Sequence, residues 1–350
     1  MSDQVLSDQV PTTMRASVLR GIGDLVVEER PVPEPRAGEV LVRVGSVGTC
    51  GSDSHYYHHG RIGDFVVEQP LVLGHEAGGH VVAVGPGVPD SRVGEHVSIE
   101  PGVPCRHCAP CRRGSYNLCP DVKFFATPPV DGAFAEYVAV PSDFAYAVPD
   151  HLSEDAAGLI EPLSVAVWAN GKAGVTLGSS VLVTGAGPIG LLVAAVASTL
   201  GAAEIFVSDI SESRRDLAAS YGATQLLDPQ QPSALEGVEV DAFIDCSGVS
   251  AAVVQGIQAV RPAGSVVLVG MGSDELALPV SLIQTREISL TGTFRYANTW
   301  PAAIALASSG QVDLDGLVTG HVDLDHVEEA LAPDPSAGHV KIVVRPGGVD

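Results

Sequence analysis

The sequence predicts an α/β protein with two domains, a β-rich domain followed by a doubly wound parallel sheet. A chain of 350 residues is long enough for two hydrophobic cores. Residues 14 to about 150 are rich in Val, Gly and Pro, with short apolar runs at 40–47 and 80–84 that are typical of strands. From about Glu161 onward, strand-like and helix-like segments alternate, which predicts a parallel sheet wrapped by helices.

The alternating segments of the second domain can be placed one by one. Strands are predicted at Ser180–Thr184 (SVLVT), 204–209, 242–246 and 265–270, and helices at 190–200 and 211–221. A strand-like segment at 339–345 (HVKIVVR) near the end of the chain is predicted to return to the first domain.

Composition excludes several classes of protein. Apolar residues make up 45% and charged residues 17%, values that argue against a disordered chain. The formal net charge of −23 argues against a nucleic acid or an anionic membrane as partner. The apolar stretch 187–203 opens with a glycine turn and predicts a buried helix instead of a membrane span. The N-terminus lacks signal-peptide features and is expected to be frayed before Met14, so we expect a soluble cytoplasmic protein.

A glycine-rich turn follows the first strand of the second domain. It matches G-x-G-x-x-G and consists of Gly185, Ala186, Gly187, Pro188, Ile189 and Gly190. The preceding strand and the following apolar helix are the context that this motif requires. Its glycines permit close approach to a pyrophosphate, and the helix N-terminus offers free N–H groups. The turn therefore predicts a dinucleotide site.

The cofactor is predicted from the end of the second strand. Asp209 lies there, where its carboxylate can accept hydrogen bonds from the adenosine ribose hydroxyls and would repel a 2′-phosphate. Arg214 supports the opposite interpretation, because it could anchor a phosphate. With Asp209 in place, the sequence favours NAD over NADP.

Four cysteines predict a structural metal site. Cys105, Cys108, Cys111 and Cys119 follow the spacing C-x2-C-x2-C-x7-C, and four thiolates close a tetrahedral zinc site without an open position. An iron–sulfur cluster is the first alternative, because Cys119 precedes a proline, as does the last cysteine of the ferredoxin motif. That motif has three residues before its last cysteine, whereas this sequence has seven. Disulfides are the second, and the lack of a secretion signal disfavours them.

Three other residues form a candidate catalytic zinc site. His75 and Glu76 follow an apolar run at 70–73, and Cys50 lies in the segment GTCGSD. Each alone has an ordinary structural explanation, but together they supply the mixed ligand set of a zinc that keeps a fourth position for substrate. Glu161 is a further carboxylate for the same metal, or alternatively the cap of the following helix.

The segment from Gly74 to Val88, GHE-x2-G-x5-G-x2-V, resembles the zinc signature of the medium-chain alcohol dehydrogenases. The resemblance covers nearly the whole chain from Met14. It implies a GroES-like catalytic domain at 1–160, completed by 301–350, and a Rossmann NAD-binding domain at 161–300. It also implies a homo-oligomer, either a tetramer or a dimer.

Four further segments resemble the sorbitol and xylitol dehydrogenase branch of that family. They are YYHHGRIG at 56–63, ATPPVDG at 126–132, EPLS at 161–164 and FRYANTWP at 294–301. By this resemblance Cys50, His75 and Glu76 bind the catalytic zinc, while Glu161 bonds the zinc-bound water or approaches the metal. The implied polyol contacts are Ser52, Tyr56, Thr127, Arg295 and Tyr296, and the implied proton relay is Ser52 and His55. Tyr57 departs from the branch, which often has Trp there.

The resemblance implies zinc-assisted hydride transfer from a secondary alcohol of a sorbitol- or xylitol-type polyol to NAD, giving a ketose. A polyol needs a polar site, because each buried hydroxyl requires a hydrogen-bond partner. Other functions stay open: a zinc dehydrogenase of butanediol, idonate or threonine type, a non-catalytic NAD-binding protein, or an interaction module that binds zinc only at the four cysteines. The segment at 294–301 is alternatively a loop at a subunit interface, and Cys246 is predicted to be a buried core thiol.

Overall fold

The computed structural model describes residues 10–333 and 338–349, and the chain divides into two compact units. The first unit is Met1–Glu161 with Asp313–Asp350, and the second is Pro162–Val312. Residues 301–312, which the sequence analysis placed with the first domain, belong to the second unit. Of the tail expected to be frayed, residues 1–9 lie outside the described residues.

The described part of the chain contains strands and helices in the following order. The strands are β1 Thr13–Gly21, β2 Asp24–Pro31, β3 Glu39–Gly48, β4 Arg61–Ile62, β5 Phe65–Val66, β6 Leu71–Val72, β7 Glu76–Val84, β8 His96–Ile99, β9 Gly102–Val103, β10 Lys123–Phe124, β11 Tyr137–Pro141, β12 Ala145–Ala147, β13 Ser180–Thr184, β14 Glu204–Ser208, β15 Gln225–Leu227, β16 Val240–Asp245, β17 Val260–Leu268, β18 Ser289–Gly292, β19 Val318–Val322 and β20 Lys341–Val344. The helices are α1 Gly51–His59, α2 Ala109–Arg112, α3 Glu154–Ala173, α4 Pro188–Thr199, α5 Glu212–Ser220, α6 Ser250–Gln258, α7 Val280–Thr285, α8 Trp300–Ser308 and α9 Val327–Leu331.

The first unit is built around a seven-stranded sheet in the order β12-β8-β7-β3-β20-β19, with β11 also paired to β3. Strands β3 and β7 are antiparallel, and their register places Gly48 opposite Glu76. Strand β20 pairs antiparallel with β3, with Val344 opposite Val47, so the predicted return of the terminal segment to this unit is confirmed. A smaller sheet, β2-β1-β6, packs against the seven-stranded sheet, and the apolar side chains of both form the core of the first unit.

The second unit is a six-stranded sheet in which every pairing is parallel. Its order is β15-β14-β13-β16-β17-β18, the doubly wound order that the sequence predicts, with the reversal between β13 and β16. Strand β13 has the predicted bounds, whereas α4 begins before residue 190. Pro188 can occupy the first helical position because its missing N–H is not needed there.

Helix α4 is apolar on nearly every face and is buried over most of its length, as predicted for the stretch at 187–203. The core on β16 and β17 includes Leu182, Phe243, Ile257 and Val266, all fully or almost fully buried. Within the described ranges, no helix has the length and apolar character needed to cross a membrane.

Candidate active site

The three residues predicted to bind a catalytic zinc come together at one end of the β3–β7 pair. Cys50 lies between β3 and α1, His75 immediately precedes β7, and Glu76 is the first residue of β7. The ligand atoms of the three side chains all lie within 4.8 Å of one another. A thiolate, an imidazole and a carboxylate in this arrangement fit a zinc ion that retains an open position.

The turn before His75 depends on Gly74. This residue has φ of +85°, and a Cβ built there would lie 2.5 Å from the Phe134 ring. Any side chain would therefore both strain the backbone and collide with a fully buried aromatic residue. The glycine of the signature allows the chain to enter β7 with His75 and Glu76 beside Cys50.

A buried aspartate that was not selected from the sequence lies beside His75. Asp53 is fully buried, and its carboxylate accepts hydrogen bonds from the backbone N–H groups of Cys50 and Gly74, both at 3.0 Å. It also lies 3.7 Å from Nδ1 of His75. Burial lowers the pKa of His75, but Asp53 and Cys50 outweigh it and raise that pKa well above its ordinary value. The sequence signal that could have revealed Asp53 is its place in the first turn of α1, three residues after the N-cap Cys50.

Glu76 is almost completely buried and has one cationic partner, Lys341 of β20. The Lys341 ammonium donates to Oε1 at 2.8 Å and lies 2.6 Å from Oε2. The contact with Oε2 is an ion pair without hydrogen-bond geometry, so this oxygen keeps the capacity to bind a metal. With the thiol of Cys50 and the imidazole of His75 close by, the buried carboxylate completes a mixed ligand set, and the residues present fit a zinc ion.

Lys341 was also missed by the sequence analysis. Burial lowers its pKa, but the charges of Glu76, Cys50 and Glu161 outweigh burial and raise the pKa above its ordinary value. The side chain therefore remains a cation inside the unit. Its sequence signal was weak, a single lysine at the start of the apolar strand KIVV.

Glu161 lies inside helix α3, which begins at Glu154, so its alternative role as a helix cap is wrong. The side chain is buried, with an exposed fraction of 4%. Its carboxylate is outside the group of three ligand atoms formed by Cys50, His75 and Glu76. Its charge nevertheless acts on Lys341, which places Glu161 in the electrostatic surroundings of that group.

The four cysteines of the predicted structural site also converge. The sulfur atoms of Cys105, Cys108, Cys111 and Cys119 lie within 4.8 Å of one another. All six cysteines are in the described ranges and free, and the close sulfur pairs, at 3.3 and 4.0 Å, are far beyond the ~2 Å of a disulfide bond, so the disulfide alternative is wrong. The backbone N–H of His107 is the main cause that lowers the pKa of Cys105 to about 6, whereas the pKa values of Cys108 and Cys119 are raised, so of these three Cys105 most readily forms the thiolate that zinc binds.

The glycine turn lies at the point where the order of the second sheet reverses. Gly185 follows β13 and has φ of +85°, while Gly187 caps α4 and Pro188 and Ile189 open that helix. A Cβ on Gly190 would lie 1.7 Å from the Gly185 carbonyl oxygen, so this close turn requires glycine. In doubly wound sheets, this is where the helix N-terminus meets a dinucleotide.

Asp209 connects the end of β14 to the glycine turn. One carboxylate oxygen accepts a hydrogen bond from the Ala186 N–H at 2.7 Å, and the other accepts from the Ser211 N–H at 2.8 Å. The arginine that contacts Asp209 is Arg215, whose guanidinium donates to the Asp209 carbonyl oxygen at 2.7 Å. Arg214, the predicted phosphate anchor, is exposed on α5.

Helix α1 carries several of the residues implied by the polyol dehydrogenase resemblance. Ser52 is half-buried and His55 is exposed, whereas Tyr56 is 3% exposed and packs in the core of the first unit. The hydroxyl of Tyr57 donates to the carboxylate of Glu328 in α9, which is the main cause that raises the Tyr57 pKa to about 12. The departure at Tyr57 thus fastens α1 to the C-terminal segment.

The remaining residues of that set are divided between the two units. Thr127 is half-buried in the loop after β10 of the first unit. In the second unit, Tyr296 is 3% exposed and packs against Trp300, with ring centroids 5.2 Å apart. The Arg295 guanidinium lies over the Phe294 ring, 4.8 Å from its centroid.

Comparisons with known proteins agree with this geometry. The family described as Alcohol dehydrogenase GroES-like domain matches residues 36–150, and the family Zinc-binding dehydrogenase matches residues 188–309. The chain is 42% identical to sorbitol dehydrogenase of Bacillus subtilis, covering 93% of this chain and 95% of the relative. It is also 42% identical to D-xylulose reductase A of Aspergillus oryzae, covering 95% and 96%.

A solved structure with the same fold is an alcohol dehydrogenase from Escherichia coli CFT073 in complex with NADH. It is 31% identical, with a TM-score of 0.89 over 96% of this chain and 100% of that one. The chain therefore belongs to the zinc-dependent medium-chain alcohol dehydrogenases. Within that family it groups with the sorbitol and xylitol dehydrogenase branch, and it is an NAD-dependent zinc oxidoreductase. The sequence-based predictions of family, fold, enzyme class and cofactors are confirmed.

Proposed function

We propose that the protein oxidises a secondary hydroxyl of a sorbitol- or xylitol-type polyol to a ketone, giving a ketose. The observation that carries the proposal is the gathering of the Cys50, His75 and Glu76 ligand atoms within 4.8 Å of one another. The two curated relatives named above, a sorbitol dehydrogenase and a D-xylulose reductase, support a polyol–ketose substrate pair.

In this proposal Cys50, His75 and Glu76 hold one zinc, and the four cysteines at 105–119 hold a second, structural one. Bound zinc supplies Lewis-acid chemistry that makes an alcohol more acidic, and NAD supplies a hydride acceptor. Asp53 holds the backbone at Cys50 and at Gly74, next to His75, so that the ligands are in place before substrate arrives.

The proton of the reacting hydroxyl is proposed to leave through Ser52 and His55. The two residues are three positions apart on α1 and therefore lie on the same face of the helix. Ser52 is half-buried and His55 exposed, so the pair leads from the interior to solvent. Glu161, which is buried and acts electrostatically on Lys341, is proposed to hold the water that substrate displaces.

The polyol is proposed to contact Ser52, Tyr56, Thr127, Arg295 and Tyr296. These side chains offer hydroxyl and guanidinium groups, and a substrate with a hydroxyl on every carbon needs such partners. A steady-state panel of sorbitol, xylitol, ribitol, galactitol and 2,3-butanediol tests this assignment. We expect kcat/KM for the best hexitol or pentitol to exceed that for butanediol by at least about a hundredfold, since a site built for several hydroxyls rejects substrates that lack them.

The alternatives make distinct predictions in the same panel. Fastest turnover of butanediol would replace the polyol assignment with a vicinal-diol dehydrogenase. NADH binding without turnover of any alcohol would indicate a non-catalytic NAD-binding protein. A single zinc per chain that remains bound when Cys50 is replaced would indicate an interaction module with zinc only at the four cysteines.

For the cofactor, we propose that the turn from Gly185 to Gly190 binds the pyrophosphate and that Asp209 binds the adenosine ribose. We expect Asp209→Ala to raise the KM for NAD about tenfold to a hundredfold, since hydrogen bonds to charged groups contribute roughly 1.5–3 kcal/mol. The ratio of kcat/KM for NAD over NADP should fall at least as much. Asp209→Asn is the matched variant, because it retains an acceptor for the Ala186 N–H and removes the charge. An unchanged NAD/NADP ratio in both variants would contradict the ribose role.

We further propose a homo-oligomer, a tetramer or a dimer, that works in the cytoplasm. The family resemblance supports the assembly, and six free cysteines suit a reducing compartment. The domain division at residues 160 and 300 is likewise proposed as the functional one, with the returning strand β20 part of the catalytic domain.

A further inference from the structure

The C-terminal strand delivers a buried cation to the proposed zinc ligand Glu76. Lys341 is the first residue of β20 and is 4% exposed. Its ammonium donates to Oε1 of Glu76 and to the Thr49 carbonyl oxygen, both at 2.8 Å. An ammonium has three donors, so two of the three are accounted for by these acceptors.

Backbone pairing fixes the position of this lysine. The Thr49 N–H donates to the Ile342 carbonyl oxygen at 3.1 Å, and the Thr49 hydroxyl donates to the same oxygen at 2.9 Å. One residue earlier, Gly48 is opposite both Glu76 in β7 and Val343 in β20. Because three strands meet at this point, the Lys341 side chain has a defined route to the Glu76 carboxylate.

The Lys341 ammonium contacts both oxygens of the Glu76 carboxylate. It donates a hydrogen bond to Oε1 at 2.8 Å and lies 2.6 Å from Oε2. Oε2 is also the atom that packs against Gly48, where a built Cβ would come within 2.0 Å. The carboxylate is thus held by the ammonium and confined by the backbone at Gly48, with Cys50 and His75 close by.

We infer that Lys341 is a positioning residue for the catalytic metal site, which holds Glu76 in the orientation that lets it bind zinc. The inference rests on the proposed role of Cys50, His75 and Glu76 as ligands. Groups that hydrogen-bond a metal ligand typically change metal affinity about tenfold to a hundredfold when removed. Without the ammonium, the buried carboxylate loses the group that orients it and the charge that balances it.

The test is the zinc affinity of the Cys50 site, measured by competition with a chromophoric chelator on the full-length protein. We expect Lys341→Met to weaken that site about tenfold to a hundredfold and to leave the affinity of the Cys105–Cys119 site unchanged. Lys341→Arg retains the cation and should recover most of the loss. Cobalt substitution provides a second readout, since the visible bands of the Cys50 site should change in Lys341→Met.

Val344→Ala is the matched control, because Val344 is a fully buried residue of the same strand and packs in the core of the first unit. It should lower the Tm while leaving zinc affinity at the Cys50 site unchanged. Wild-type affinity in Lys341→Met, or an equal loss in Val344→Ala, would show that Lys341 serves only to stabilise β20. If the wild type holds no zinc that Cys50→Ser removes, the ligand assignment itself fails, and this result is distinguishable from the others.

Discussion

Cys50→Ser is expected to lower kcat by about a thousandfold or more while NADH still binds. A neutral serine hydroxyl is a poor substitute for a thiolate ligand, so the three-ligand site loses its zinc. Lewis-acid stabilisation by a metal contributes several kcal/mol to a transition state, which corresponds to a rate change of this size. The measurements are kcat, NADH fluorescence titration and zinc content, which should fall from two per chain to one.

The substitution is well suited to this purpose because it leaves helix α1 intact. Cys50 is the N-cap of that helix, and serine is among the preferred N-cap residues. Ser54→Ala, in the first turn of the same helix, is the control and should retain two zinc ions and near wild-type kcat. Activity within tenfold of wild type in Cys50→Ser would refute the metal assignment.

Gly48→Ala is expected to have an effect of similar size through a different route. A Cβ at Gly48 would lie 2.0 Å from Oε2 of Glu76 and 3.0 Å from a methyl carbon of Leu159. The carboxylate must therefore move, and its contacts with the Lys341 ammonium limit where it can go. We expect loss of the catalytic zinc and a kcat reduced at least about a hundredfold, because a small misplacement of a catalytic group has costs of this order.

The control for this variant lies three residues along the chain. Gly51 has no atom within 4 Å of a built Cβ and does not have a positive φ, so Gly51→Ala should be tolerated. The measurements are zinc content and kcat, together with far-UV circular dichroism to establish folding. If Gly48→Ala retained both zinc ions and full activity, Glu76 could not be held as tightly as the structure indicates.

Local patterns account for the parts of the fold and site that the sequence predicted well. Strand Ser180–Thr184, the glycine turn and the apolar helix α4 are contiguous, so one motif reports all three. The four cysteines of the structural site lie in the single segment between β9 and β10, and their spacing alone predicts a common metal site. The residues implied by family resemblance, such as Cys50 with His75, were found because whole motifs matched.

Residues that act across long separations were missed or misjudged. Lys341 and Glu76 are 265 residues apart in the sequence, and the pairing of β20 with β3 and of β3 with β7 brings them into contact. Arg215 was not selected either, although its guanidinium donates to the Asp209 carbonyl oxygen across the turn from β14 into α5. Glu161 was considered as the cap of the following helix, yet α3 begins at Glu154 and continues through Glu161 and Pro162.

The chemical groups available to this protein can be recognised in short stretches of its sequence: four clustered thiolates, a glycine turn after a strand, an acidic residue at the next strand end, and an adjacent imidazole and carboxylate. These features are encoded by short spacings, which fix which groups the backbone can bring together locally. The contacts of Asp53 with His75, of Gly48 with Glu76 and of Lys341 with Glu76 appear in the folded chain alone. The contacts of Gly48 and Lys341 depend on the pairing register of strands that are far apart in the sequence, so no short pattern reports them.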